Sequence, residues 1–211
     1  MNKRKYSLGE EIFNSTSHGI GALLSLAATV IMAVLSAGKG SALGTFASVA
    51  FGLTLILLYT SSTLYHAITH PGAKRIFQIL GHCTIFLLIA GSYTPYALLT
   101  IGGTPGWVIF SIVWASALTG IILNAIDLKR FAKVSIILYL AMGWAIIFYL
   151  PILLSNLAAG GLWLLIAGGL AYTGGIVFYL VKKVPYFHSI WHLFVLGGSI
   201  CHILSVILFV L

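Results

Sequence analysis

Long apolar runs, each closed by a short turn, set the pattern of this chain. Seven can be marked: Gly19–Ala37, Ala42–Tyr65, Ile76–Thr100, Trp107–Ile126, Val134–Leu154, Gly161–Val181 and His188–Leu211. Each is near the roughly 20 residues that cross a bilayer core as a helix. The turns carry helix-stopping residues: Gly38-Lys39-Gly40, His70-Pro71-Gly72, Gly102-Gly103-Thr104-Pro105-Gly106 and Val184-Pro185. A transmembrane barrel would show shorter segments of alternating polarity. The pattern therefore predicts an all-α integral membrane protein, a seven-transmembrane helix bundle whose backbone groups are satisfied within each span. Ahead of the first run, Ser7-Leu8-Gly9-Glu10 fits a capping box, which predicts a short interfacial helix leading into the first span. The expected organisation is a cytoplasmic or interfacial N-terminal segment, 1–18, and a transmembrane domain, 19–211. A cleavable signal peptide is the rival for the N-terminus, but Glu10, Glu11, Asn14 and His18 interrupt the place of its apolar core.

Composition adds a reason and an exclusion. Hydrophobic residues make up 60% of the chain and charged residues only 7%, too little polar surface to cover a soluble globule of this size. Cys83 and Cys201 both fall inside apolar runs and imply no disulfide framework. With seven spans, every Lys and Arg except Lys39 falls on the side of the N-terminus. The positive-inside rule then predicts a cytoplasmic N-terminus and an outside C-terminus. The net charge of +8 follows from this asymmetry and from attraction to anionic inner-leaflet lipids, so no nucleic-acid partner is needed to account for it.

The candidate chemistry lies in the histidines. His188 and His192, in Phe187-His188-Ser189-Ile190-Trp191-His192, are one helical turn apart on one face, with imidazoles roughly 6 Å apart. That spacing suits two ligands of one metal ion, or two interfacial rings bonded to nearby carbonyls. Depth counting brings His18, His66 and His82 into the same layer, whereas His202 lies roughly 15 Å deeper along the last span. His70, beside Pro71, is read as an interfacial residue. Ser62 stands one turn before His66, either to hold a neighbouring ring or water or to bond back to its own helix. Glu11, Asn14 and His18 stand on adjacent turns facing that layer. Gly168, Gly169, Gly174, Gly175, Gly197 and Gly198 predict close helix contacts rather than a ligand loop.

Taken in order, Glu11/Asn14/His18, then Ser62 and His66, then His188 and His192, resemble the hemolysin III family. That family is the bacterial branch of the progestin and adipoQ receptors, which include the adiponectin receptors. The likeness spans the whole chain, including Leu88-Ile89-Ala90-Gly91-Ser92-Tyr93-Thr94-Pro95-Tyr96. It implies a seven-helix bundle with a zinc ion near the inner leaflet, held by His66, His188 and His192. The family's similarity to alkaline ceramidases implies metal-assisted hydrolysis of a lipid amide, and its bacterial members are linked to membrane homeostasis. One position departs: family members open span three with an Asp that contacts the water on the zinc, and this chain has Gly81 there.

Two functions of different class follow. In one, three histidines hold zinc with its fourth position open to water, a small lipid is the substrate, and Glu11, His82 or His18 supplies acid–base chemistry. In the other, zinc is structural and the protein is a lipid-sensing, receptor-like module. A pore-forming cytolysin is a weaker variant of the second, since charges are almost absent from the spans. Membrane lipids are the expected partners in each.

Overall fold

The computed structural model describes residues 6–211; Lys3, Arg4 and Lys5, which count among the basic residues on the N-terminal side, lie outside the described residues. Among these there are no strands, and seven helical rods are long and apolar enough to cross a membrane. The first two are α1 (Leu8–Gly38) and α2 (Ala42–Ala67). Next come α3 (Pro71–Pro95), prolonged by a π-helical turn, Tyr96–Ile101, and α4 (Gly103–Asp127). The fifth rod joins α5 (Ala132–Trp144) to α6 (Leu150–Asn156) through a 3₁₀ turn, Ala145–Tyr149. The last two are α7 (Ala159–Leu180) and α8 (Phe187–Ser205), the latter ending in a π-helical turn, Val206–Val210. Each predicted run falls on one rod. The break in the fifth has a cause: Pro151 has no N–H to offer Ile147, and its ring crowds that carbonyl.

The separate interfacial helix expected before the first span is not there. Its residues are the opening turns of α1, which runs unbroken from Leu8 to Gly38. The capping box forms as predicted: the Ser7 hydroxyl accepts from Glu10 N–H at 3.3 Å, and Glu10 Oε2 accepts from Ser7 N–H at 2.8 Å. Glu10, Asn14 and His18, spaced at single turns, are all buried. These polar residues are the inward face of one long helix, and Leu8, Ile12 and Ile20 occupy its exposed face.

The bundle is apolar outside and partly polar within, as lipid surroundings require. Leu23, Ile126 and Phe148 are exposed, while Ser36 and Ser48 meet inside at 3.0 Å. A buried cluster of Phe51, Leu55, Tyr59, Phe86, Tyr96 and Val113 fills the centre. Closely packed pairs run α4–α3–α2–α1, then α1–α8 and α8–α7, with α5 touching α3, α4 and α7 more thinly. Glycine sets the α7–α8 seam. A Cβ at Gly168 would collide with the His202 ring, and one at Gly198 would stand 2.8 Å from Tyr172 Cε1. The expected role of the span glycines holds at these positions. At Gly197 a Cβ would meet nothing within 4 Å.

Between α3, α5, α7 and α8 the thin packing leaves a cavity of about 130 Å³, and a second of about 80 Å³ adjoins the same helices. Their walls are almost wholly apolar.

Candidate metal centre

Three elements converge at one end of the bundle. His66 comes from the last turn of α2, His188 and His192 from the first turns of α8, and Glu11 from the first turn of α1. The start of α8 is pinned to the start of α1. Tyr186, which caps α8, sits at φ 61°, a conformation uncommon for a side chain of its size. Its N–H donates to Glu10 Oε1 at 2.8 Å. One buried carboxylate thus serves the N-termini of two helices, where partial positive charge gathers.

His66, His188 and His192 each offer a ring nitrogen, and these atoms all lie within 4.8 Å of one another. His188 Nε2 is 3.3 Å from His66 Nε2 and 3.2 Å from His192 Nε2. Two nitrogens each about 2.0–2.1 Å from a tetrahedral zinc would stand roughly 3.3 Å apart. The tautomers agree with this spacing. Glu11 Oε2 lies 2.6 Å from His66 Nδ1, so that nitrogen carries the proton and Nε2 presents a lone pair. The Ser17 hydroxyl donates to Asn14 O at 3.1 Å, and its oxygen faces His192 Nδ1 at 3.5 Å. His192 Nε2 is likewise left as an acceptor. Two buried lone pairs aimed at the Nε2 edge of a third imidazole suit a shared cation, and the cluster can hold a metal ion.

The remaining predicted residues take varied places around this centre. Glu11 Oε1 pairs with Lys74 at 2.7 Å, so both carboxylate oxygens are engaged. His18 stacks on His192 with ring centres 3.6 Å apart and 17° between planes. It is buried, and neither of its ring nitrogens has a hydrogen bond among the described residues. Asn14 is buried close by, and its side-chain amide is equally unpartnered there. Ser62 is buried one turn from His66. His82 stands behind Tyr179: its Nδ1 donates to Gln78 O at 2.8 Å, and its Nε2 accepts from the Tyr179 hydroxyl at 3.1 Å. His70 is exposed and caps α3. His202 is deep in the bundle, away from the cluster, as its position in the sequence indicated.

Sequence reasoning missed several participants. Tyr6 stacks on His188, with centres 5.0 Å apart, and leans on His66 at 5.7 Å. Burial, then the neighbouring Tyr65, Tyr179 and Glu11, push its hydroxyl above the usual phenol range, so it stays neutral. Nothing in the residue pattern marks Tyr6, which precedes the helix. In the sequence Lys74 counts only among the basic residues that set the orientation. Ser17 had a signal: it lies one residue from His18 on a face already carrying Glu10 and Asn14.

The larger cavity begins beside this cluster. Tyr179 and Trp191 line it, and their rings stand 6.5 Å and 4.9 Å from that of His188. Fold and site together define a multi-pass membrane protein of seven helices, with a buried three-histidine cluster able to hold a metal ion at one end and an apolar cavity leading away from it.

Comparison with known proteins agrees with that class. A family model described as haemolysin-III related matches residues 6–203. Hemolysin-3 of Bacillus cereus is 43% identical over 211 residues, covering 100% of this chain and 96% of that protein. The hemolysin-3 homolog of Bacillus subtilis (strain 168) is 45% identical over 194 residues, 92% of this chain and 91% of that one. More distant is the human monocyte to macrophage differentiation factor, 29% identical over 160 residues, 72% of this chain and 65% of its own. The chain belongs to the haemolysin-III related family and is a multi-pass cell membrane protein.

Proposed function

We propose that His66, His188 and His192 hold one zinc ion near the inner leaflet, and that the chain binds a membrane lipid whose apolar tail enters the cavity beside them. In this reading the protein serves membrane homeostasis and hydrolyses a lipid amide only slowly. The observation that carries it is the convergence of Nε2 lone pairs at 3.2–3.3 Å from His188. When bound by three nitrogens, zinc supplies Lewis acidity and an open position for an activated water.

The chain's own residues set the rest. Glu11 holds the Nδ1–H of His66, which fixes the ring and raises its basicity as a ligand. The Ser17 hydroxyl oxygen faces His192 Nδ1 more loosely, at 3.5 Å, and favours the same ring orientation there. Tyr6 lies over His188 and shields the cluster at the membrane surface. Hydrolysis also needs a group to take a proton, a contribution of typically 10²–10⁴-fold. The sequence contains three carboxylates. Glu10 clamps two helix ends, Glu11 is shared between His66 and Lys74, and Asp127 accepts from the Lys129 and Arg130 N–H groups. That commitment favours the second reading to the same degree: a lipid-sensing module in which zinc is structural. No observation favours a pore.

Gly81→Asp separates the two. A Cβ at Gly81 meets nothing within 4 Å, so the added carboxylate has room. Release of fatty acid from a ceramide-type amide by purified protein at matched zinc content should rise at least about tenfold, the low end of base catalysis. No release by either protein would remove the hydrolase reading and leave the lipid-sensing one; equal, measurable rates in the two would mean that another residue takes the proton.

A further inference from the structure

The three histidines of the cluster are not held alike. Glu11 meets His66 at Nδ1, and Ser17 faces His192 at Nδ1. His188 has no hydrogen bond at Nδ1 among the described residues. Aromatic rings hold it instead. Tyr6 stacks on it with centres 5.0 Å apart and 24° between planes, and Trp191 lies at 4.9 Å and 32°. His188 is also only half-buried, whereas His66 and His192 are buried. The other sides of the cluster are covered. His18 lies on His192, the Glu11–Lys74 pair backs His66, and Tyr65 stands edge-on to His66 at 4.7 Å. Beyond Trp191 and Tyr179 is the apolar cavity, which a hydrated divalent cation enters only at high cost. The way from water to the Nε2 atoms therefore passes His188, and the half-buried ring of Tyr6 lies on it.

Local structure leaves that ring free to move. Tyr6 immediately precedes the N-cap Ser7 of α1. An apolar residue at this place commonly packs on another in the first turns of the helix, at the fourth helical position, and fixes the chain's entry. Here that position is Glu11, whose oxygens are engaged by His66 and Lys74. Tyr6 has no apolar staple partner there, so its ring lies on the imidazoles of His188 and His66. Rotation about its own Cα–Cβ bond would lift it away without parting any helices. We propose that Tyr6 is the gate of the metal centre. Its ring holds His188 over the cluster, and when it turns aside a divalent cation passes between water and the three Nε2 atoms. This rests on the metal-binding reading above and adds how the site is loaded and emptied.

The test is zinc exchange by the full-length protein in detergent. Loading is followed as loss of free zinc from a fluorescent indicator, and release as transfer to an excess of chelator. Tyr6→Ala should speed loading and release alike, by about fivefold, the order set by one aromatic pair. Because a gate acts on both directions equally, the ratio of the two rates should stay within about twofold of the natural chain. Tyr6→Phe keeps the ring and should exchange zinc at the natural rate. Tyr6→Ser takes the place of Tyr6→Ala if that variant does not fold. Faster release with unchanged loading would make Tyr6 a brace for His188 and overturn the gate. Unchanged rates in both directions would overturn it too. A natural chain that binds no zinc would remove the gate together with the metal-binding reading.

Discussion

Replacing Glu11 by Gln tests how the centre is held. In the native chain its Oε2 accepts from His66 Nδ1 at 2.6 Å and its Oε1 pairs with Lys74 at 2.7 Å. Glutamine has almost the same shape, so packing is preserved while the charge and one of the two acceptor oxygens are removed. His66 is buried, so weakening the bond to its Nδ1–H costs about 1 kcal/mol, and leaving it unmatched costs up to about 3. The Lys74 pair is partly exposed, with side chains 28% and 21% accessible, and contributes at most about 1 kcal/mol. Loss of the charge behind a ligating imidazole lowers metal affinity by about 10–100-fold. Zinc affinity should be measured by competition with a chelator in detergent, beside thermal unfolding with and without zinc. Glu11→Gln should weaken zinc by at least about tenfold while lowering the stability of the zinc-free protein only modestly. A zinc affinity within about threefold of the natural chain, well under the range for such partners, would refute the assignment of Glu11 as the group that orients His66.

Glu10→Ala should lower the unfolding temperature in detergent with or without metal, by a stability loss of about 2–4 kcal/mol, because two backbone N–H groups lose a charged acceptor; an unchanged melting temperature would contradict the clamp between α1 and α8. Orientation is tested with Lys129→Cys in a chain whose Cys83 and Cys201 are replaced by alanine. The new thiol should react only with reagents that enter the cytoplasm, and labelling by an impermeant reagent on intact cells would reverse the topology.

Much of this architecture is legible in the residues, for physical reasons that can be named. A span must be about 20 apolar residues long, so the seven rods stand out in the sequence. Helical rise converts residue count into depth, which is why His18, His66, His188 and His192 could be placed in one layer and His202 outside it. What escaped depends on rotation and on chain segments far apart in sequence. Glu10, Asn14 and His18 interrupt an apolar run when read linearly, but they are spaced to face inward along one continuous helix. Glu11 could be placed near the histidines, yet only the fold shows that it meets the Nδ1 of His66, on the side away from the converging Nε2 atoms. The same holds for Lys74, which reaches back across 63 residues, and for Tyr6, whose stacking on His188 has no local signature. The cavity arises because α5 packs thinly on its neighbours, a property of helix arrangement rather than of any one run.

The central claim is that His66, His188 and His192 hold one zinc ion together. Its most direct test is metal content per chain, determined by elemental analysis of protein purified in detergent, for the natural sequence and for His66→Ala, His188→Ala and His192→Ala. The natural chain should carry one zinc. Each variant should lose most of it, with a parallel fall in thermal stability because metal binding contributes to folding. Full zinc occupancy in all three variants, or a natural chain that takes up no zinc when the metal is supplied, would contradict the account.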